Sequence, residues 1–164
     1  MMARRLREKF KTANGASFPI RSGGQALVEF AIVLPFLLLV MFGITEFGRA
    51  YYQYNTLSKA IRNGARYLSS NTYSSANLTN TQNLVVYGNT AGSGPPMLPG
   101  LTPAMINITP SGGATPYDEI NPPQYVNVAV NNYAFSSLVP GIISLNVTFS
   151  PQVTFRYVGP NARL

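Results

Sequence analysis

From Ala26 to Thr45 the chain reads ALVEFAIVLPFLLLVMFGIT, apolar throughout apart from Glu29 and Thr45. Twenty helical residues rise about 30 Å, the thickness of a bilayer core. A helix buried in a soluble domain rarely carries such a run with no polar face, so the segment is predicted to span a membrane. Arg4, Arg5, Arg7, Lys9, Lys11 and Arg21 precede it, against Glu8 alone. The positive-inside rule then puts residues 1–21 in the cytoplasm and the C-terminal part across the membrane. Pro35 removes one backbone hydrogen bond and is expected to kink the helix, which neighbouring helices can make tolerable. Glu29, an acid inside an apolar span, demands a separate explanation.

A cleaved secretory signal also has a basic start and an apolar stretch, but its cut follows that stretch at a small-residue site. Here TEFGRAYYQY follows, with no such site and with helical character. Phe47, Tyr51, Tyr54, Leu57 or Ser58, Ile61, Ala65 and Leu68 recur at three- and four-residue steps. Arg49, Gln53, Thr56, Lys59, Arg62 or Asn63, and Arg66 do the same on another face, which makes this an amphipathic helix. It is predicted to end in the turn formers SSNTYSSAN. Tyr51, Tyr52 and Tyr54 stand where an interfacial aromatic belt would sit. Gly48 and Gly64 are either tolerated defects or points of close approach by another element.

After Ser75 the composition changes. NLVVYGNTAGSGPPMLPGLTP reads as a short apolar run joined to a Gly/Pro-rich loop. Val126, Val128 and Val130 then alternate with polar or small residues, as do Leu145, Val147 and Phe149, and Val153, Phe155 and Tyr157. Period-2 alternation predicts strands with one apolar face. Three or four of them would make a small antiparallel sheet covered by the amphipathic helix, with Pro151 at an edge or bulge. The expected fold is α+β. A basic leader occupies 1–24 and the N-terminal helix 25–70, spanning the membrane from about 26 to 45. An extracytoplasmic β-rich domain occupies 71–164.

The chemistry is sparse. The chain has no cysteine and no histidine, which excludes disulfides, cysteine metal sites and the commonest general base. Beyond Glu46 the only acids are Asp118 and Glu119, adjacent in a Pro-rich stretch. Neighbours on an extended chain point to opposite faces, so a solvated loop is the favoured reading over a weak calcium contact. No enzyme, cofactor or metal is expected. The net charge of +7 lies largely in the leader and no nucleic-acid-binding motif accompanies it, so no nucleic-acid partner is expected. The N-x-T triplets at Asn77, Asn107 and Asn146 are expected by chance in so Asn/Thr-rich a chain.

One helix leaving a membrane into a small sheet is the shape of a type IV pilin-like subunit. The stretch GQALVEFAIVLPFLLLVMFGITEFGRAYYQYNTLSKAIRNGARYLSS resembles the N-terminal region of TadE-like proteins, pseudopilins of the tight-adherence, Flp-type pilus systems. The resemblance is close from Gly24 to Ser70 and looser in LVVYGN, PGLTP and the late strands. It is carried by Gly24, by Glu29 five positions on, by VEFA and VLP, by FGI and EFGR, and by GARY. Phe30 stands where the pilin itself often has tyrosine, which suits the pseudopilin branch. The resemblance implies that a membrane prepilin peptidase cuts between Gly24 and Gln25. Glu29 would then pair with the new N-terminal amine of a neighbouring subunit as a registry device; the alternative is a carboxylate that snorkels to headgroups. Implied partners are the peptidase, other pilin-like subunits, the pilus assembly machinery and membrane lipid. The chain would be a minor pilin, N-terminus in and C-terminal domain out, in the cytoplasmic membrane or incorporated in a pilus. The competing expectation is an unprocessed single-pass anchor with an outer binding domain.

Overall fold

The computed structural model describes residues 23–138, 141 and 146–160. Residues 1–22 of the expected leader, and Leu145 of the predicted strand, lie outside these described residues. The described part is α+β, a long apolar N-terminal helix followed by a small antiparallel sheet. Two units divide the chain at Val40 and Met41.

Helix α1, Gly23–Ser70, runs 48 residues and contains Pro35. Up to Val40 its apolar side chains are exposed. Among the described residues it is the one helix long and apolar enough to cross a membrane. Beyond Met41 a buried stripe emerges: Ala50, Leu57, Ala60, Ile61, Ala65 and Leu68. From Leu57 onward this is the predicted face. Before Leu57 the stripe is Glu46, Ala50 and Gln53, one residue away from the expected Phe47, Tyr51 and Tyr54. Phe47 is 68% exposed and Tyr51 63%, while Tyr54 touches Phe149 edge-on at 5.6 Å. Hydropathy alone misplaced the face because the buried polar groups Glu46 and Gln53 find hydrogen-bond partners inside the fold.

The run after Ser75, read as a loop-bound apolar segment, is a helix. α2, Ser75–Tyr87, starts at the Ser74 side chain, which accepts a bond from the Asn77 amide. It stops at Gly88, whose φ of 75° is left-handed and whose amide donates to the Leu84 carbonyl at 3.0 Å. Of its buried residues Thr81, Val85 and Val86, the first two face α1 at Gly64. A Cβ on Gly64 would lie 2.5 Å from Val85 Cγ2, so this glycine marks a close approach. Gly48 has nothing within 4 Å of that position.

A short 3-10 turn, Pro103–Met105, leads into β1, Ile106–Ser111. β2, Tyr125–Val130, is the central strand of a three-stranded antiparallel sheet, between β1 and β5, Gln152–Arg156. Val128 is flanked by Ile108 on one side and Val153 on the other. Val126, Val128 and Val130 are fully buried, as their alternation predicts. Pro151 directly precedes edge strand β5, and Pro110 lies in edge strand β1, positions where a missing amide proton costs no central ladder bond. A second pair, β3 (Tyr133–Ala134) with β4 (Thr148–Phe149), forms a separate two-stranded sheet. Leu57, Ile61, Ala65, Val85, Val128 and Phe149 share one core. Residues after β5 return to α1: the amides of Val158 and Gly159 donate to the Ser69 carbonyl at 2.9 and 3.0 Å. That satisfies an acceptor the end of a helix otherwise leaves open.

Candidate processing and assembly site

Gly24, Gln25, Glu29 and Phe30 fall within the first two turns of α1, and Pro35 follows about one turn later. Gly24 is exposed, and a Cβ there would meet nothing within 4 Å. Gln25 and Glu29 are one turn apart, and the Gln25 side-chain amide donates to Glu29 Oε1 at 3.3 Å. Glu29 is itself exposed, among exposed Leu27, Val28, Phe30 and Ile32. The result is one carboxylate on an apolar surface, with a neutral amide as its neighbour. Gly23 and Gly24 are already helical, so the glycines open the helix and do not precede it.

The second acid of α1 is placed quite differently. Glu46 is 3% exposed. It accepts the Leu138 amide at 2.6 Å, the Ser137 hydroxyl at 3.2 Å, and Arg49 Nη1 at 3.1 and 3.3 Å. The Arg49 guanidinium also lies 5.5 Å from the centre of the Phe135 ring. One turn further on, the Tyr133 hydroxyl donates to the Pro99 carbonyl at 2.9 Å and sits 3.3 Å from the Gln53 side-chain amide. Glu46, Arg49, Gln53 and Tyr133 thus tie segment 133–138 to the helix. The three-residue spacing of Glu46 and Arg49 was readable in EFGR. Their long-range partners, ninety residues on, left no local signal.

At the other end of this unit three tyrosines gather. Tyr73 meets Tyr117 and Tyr157 edge-on at 6.5 and 6.3 Å. Burial raises the Tyr73 phenol above its ordinary value, helped by Tyr117, and burial raises Tyr157 and Tyr133 likewise. The Asp118 carboxylate accepts the amides of Ile120 and Asn121 at 2.8 and 2.6 Å, closing its own turn. Among the described residues no cluster of acids forms a metal site.

An exposed apolar helix near the N-terminus and a small α+β unit fit a single-pass membrane protein. No curated protein and no solved structure matches the chain. A family model does match: residues 24–66 fit that of the TadE-like protein family. Its match begins at Gly24 and ends inside α1, and over that stretch the chain is similar to the family.

Proposed function

We propose that the chain is a minor pilin-like subunit, cut by a prepilin peptidase between Gly24 and Gln25 and used in assembling a tight-adherence filament. It is structural and not catalytic. The leader stays in the cytoplasm, residues 26–45 cross the membrane, and the sheet lies outside. Pro35 bends the spanning segment. Cleavage leaves Gln25 with a free α-amine and Glu29 as the fifth mature residue.

The observation that carries this reading is Glu29, an exposed carboxylate one turn into an exposed apolar helix that the family match enters at Gly24. A charge at mid-bilayer costs about 2.5–3.5 kcal/mol on insertion scales, so Glu29 gains from a positive partner. Within its own helix it has only the Gln25 amide. The Gln25 amine of a neighbouring subunit supplies the missing charge and sets the axial register between them.

Glu29→Gln and Glu29→Leu test it in a piliation complementation assay, with the mature protein measured by blot. Breaking a buried ion pair costs about 3–5 kcal/mol, so both variants are expected to be cut and inserted normally and to fail in assembly. Full piliation by Glu29→Leu at normal abundance would rule out the registry role. A second reading, an uncut single-pass anchor, draws on the helical state of Gly23 and Gly24, the two residues before the proposed cut. A peptidase-dependent size shift separates the two.

A further inference from the structure

Beyond the span, helix α1 carries a face that no other described residue covers. Gly48, Tyr51, Asn55, Lys59, Arg62 and Arg66 follow one another at steps of three and four, which places them on one side of a helix. All are exposed except half-buried Asn55. The face is graded: a bare glycine and an aromatic nearest the span, then three cations. Tyr52, beside them, is 69% exposed.

The cations have no counter-charge. Among the described residues Arg49–Glu46 is the only ion pair, and Lys59, Arg62 and Arg66 make none. Their spacing sets like charges at i,i+3 and i,i+4, which costs helix stability when nothing neutralises them. Soluble helix faces ordinarily mix the two signs; this one has no acid.

We infer that this face docks an acidic helix of a different protein, with carboxylates spaced to meet Lys59, Arg62 and Arg66. A second copy of the chain cannot supply them. From Gly24 onward its acids are Glu29, Glu46, Asp118 and Glu119. Glu29 lies in the span, Glu46 is buried and engaged, and Asp118 closes its own turn, which leaves Glu119. Lipid headgroups do not fit the row as a whole. Lys59 is fourteen residues past Thr45, about 21 Å along a helix, and Arg62 and Arg66 lie further still, so a headgroup layer running beside the span meets at most the first of the row. Gly48 suits a helical partner, because the space over its Cα is open to another backbone. The inference rests on the filament reading only in seeking the partner among exported or membrane proteins.

The test uses the full chain in its own cell, with photoreactive benzoylphenylalanine at Asn55 or at Asn63. Irradiated products are identified by peptide mass spectrometry. The expected product joins the chain to a different protein, at a helical peptide with acids at three- and four-residue spacing. Reversing the row (Lys59→Glu, Arg62→Glu, Arg66→Glu) is expected to lower that yield at least about tenfold, equivalent to about 1.4 kcal/mol. The conservative Lys59→Arg keeps the yield. Protease resistance of the reversed variant checks its fold, and the triple glutamine variant replaces it should that fold fail. A cross-link to a second copy, to lipid or to nothing overturns the inference, as does a yield unmoved by both variants. Intact mass on the same samples reports leader removal, so failure of the processing reading is seen separately.

Discussion

Three glycines on α1 have separate tasks, and their surroundings separate them. Gly64 is pressed by Val85, whose Cγ2 leaves no room for a Cβ, while Gly48 and Gly24 have open space. Gly64→Val is therefore expected to overpack the contact between the two helices and destabilise the folded unit by about 1–3 kcal/mol. Gly48→Ala is expected to gain up to about 1 kcal/mol from helix propensity alone. Urea unfolding of both variants in detergent checks the pair; opposite signs are expected, and destabilisation by Gly48→Ala would refute the assignment. At Gly24 the fold tolerates a larger side chain, so any effect on maturation belongs to the peptidase's cleft. Gly24→Val is expected to leave an uncut but correctly folded precursor, read by intact mass. A native mature N-terminus other than Gln25 sinks the proposed cut. From sequence, Gly48 and Gly64 were indistinguishable, because the difference lies in what the rest of the chain brings against them.

At the scale of elements, the long helix and strands β2 and β5 were legible, whereas α2 was not and the strand expected at 145–149 is only Thr148–Phe149 among the described residues. An unbroken apolar run and the alternation of Val126, Val128 and Val130 leave one reading each. The α2 sequence SANLTNTQNLVVY is rich in Asn, Thr and Val, residues that favour turns or strands, and tertiary packing against Gly64 overrides that preference. Its end signals were nevertheless present: a serine cap at Ser74 and a glycine at Gly88. Gly88→Ala forces a side chain into left-handed backbone at φ 75° and is expected to cost about 1–2 kcal/mol. Chemical denaturation measures it, and hydrogen exchange at the Leu84–Tyr87 amides locates it at the end of α2. The misplaced face of α1 before Leu57 has a related cause. Glu46 and Gln53 look like solvent residues until Ser137, Leu138 and Tyr133 arrive as partners.

For the whole unit from Met41 onward, three raised phenols give a direction in pH. Tyr73, Tyr133 and Tyr157 are held neutral chiefly by burial, so each has a folded pKa above its ordinary 10.0. The stability they contribute is complete below about pH 10 and is lost as pH rises through the folded values. Thermal melts are expected to be flat through the neutral range and to fall above pH 10, with Tyr73→Phe falling less steeply than the parent protein. Equal slopes for the two proteins would remove Tyr73 from the account. The proposed processing site depends only on local order along one helix, a glycine and then a glutamate five positions on in an apolar run, so the proposal is made from sequence and the fold brings no distant residue to it. The charged row facing outward was visible as residues but not as a surface, since its exposure depends on which side of α1 the sheet leaves bare.

Strand β2 sits between β1 and β5, and the residues after β5 close the end of α1 at Ser69. That arrangement imposes a schedule. In the proposed orientation, with the chain threaded through a membrane from its helix end, β1 and β2 arrive with one flank of β2 unsatisfied. Only when residues 152–159 have crossed can the middle strand be completed. The wait is one of exposure, since an unpaired strand edge recruits other chains. A ribosome pause or a stop codon between residues 130 and 152 would therefore leave an adhesive half-sheet outside the membrane, a substrate for quality-control proteases rather than for a filament.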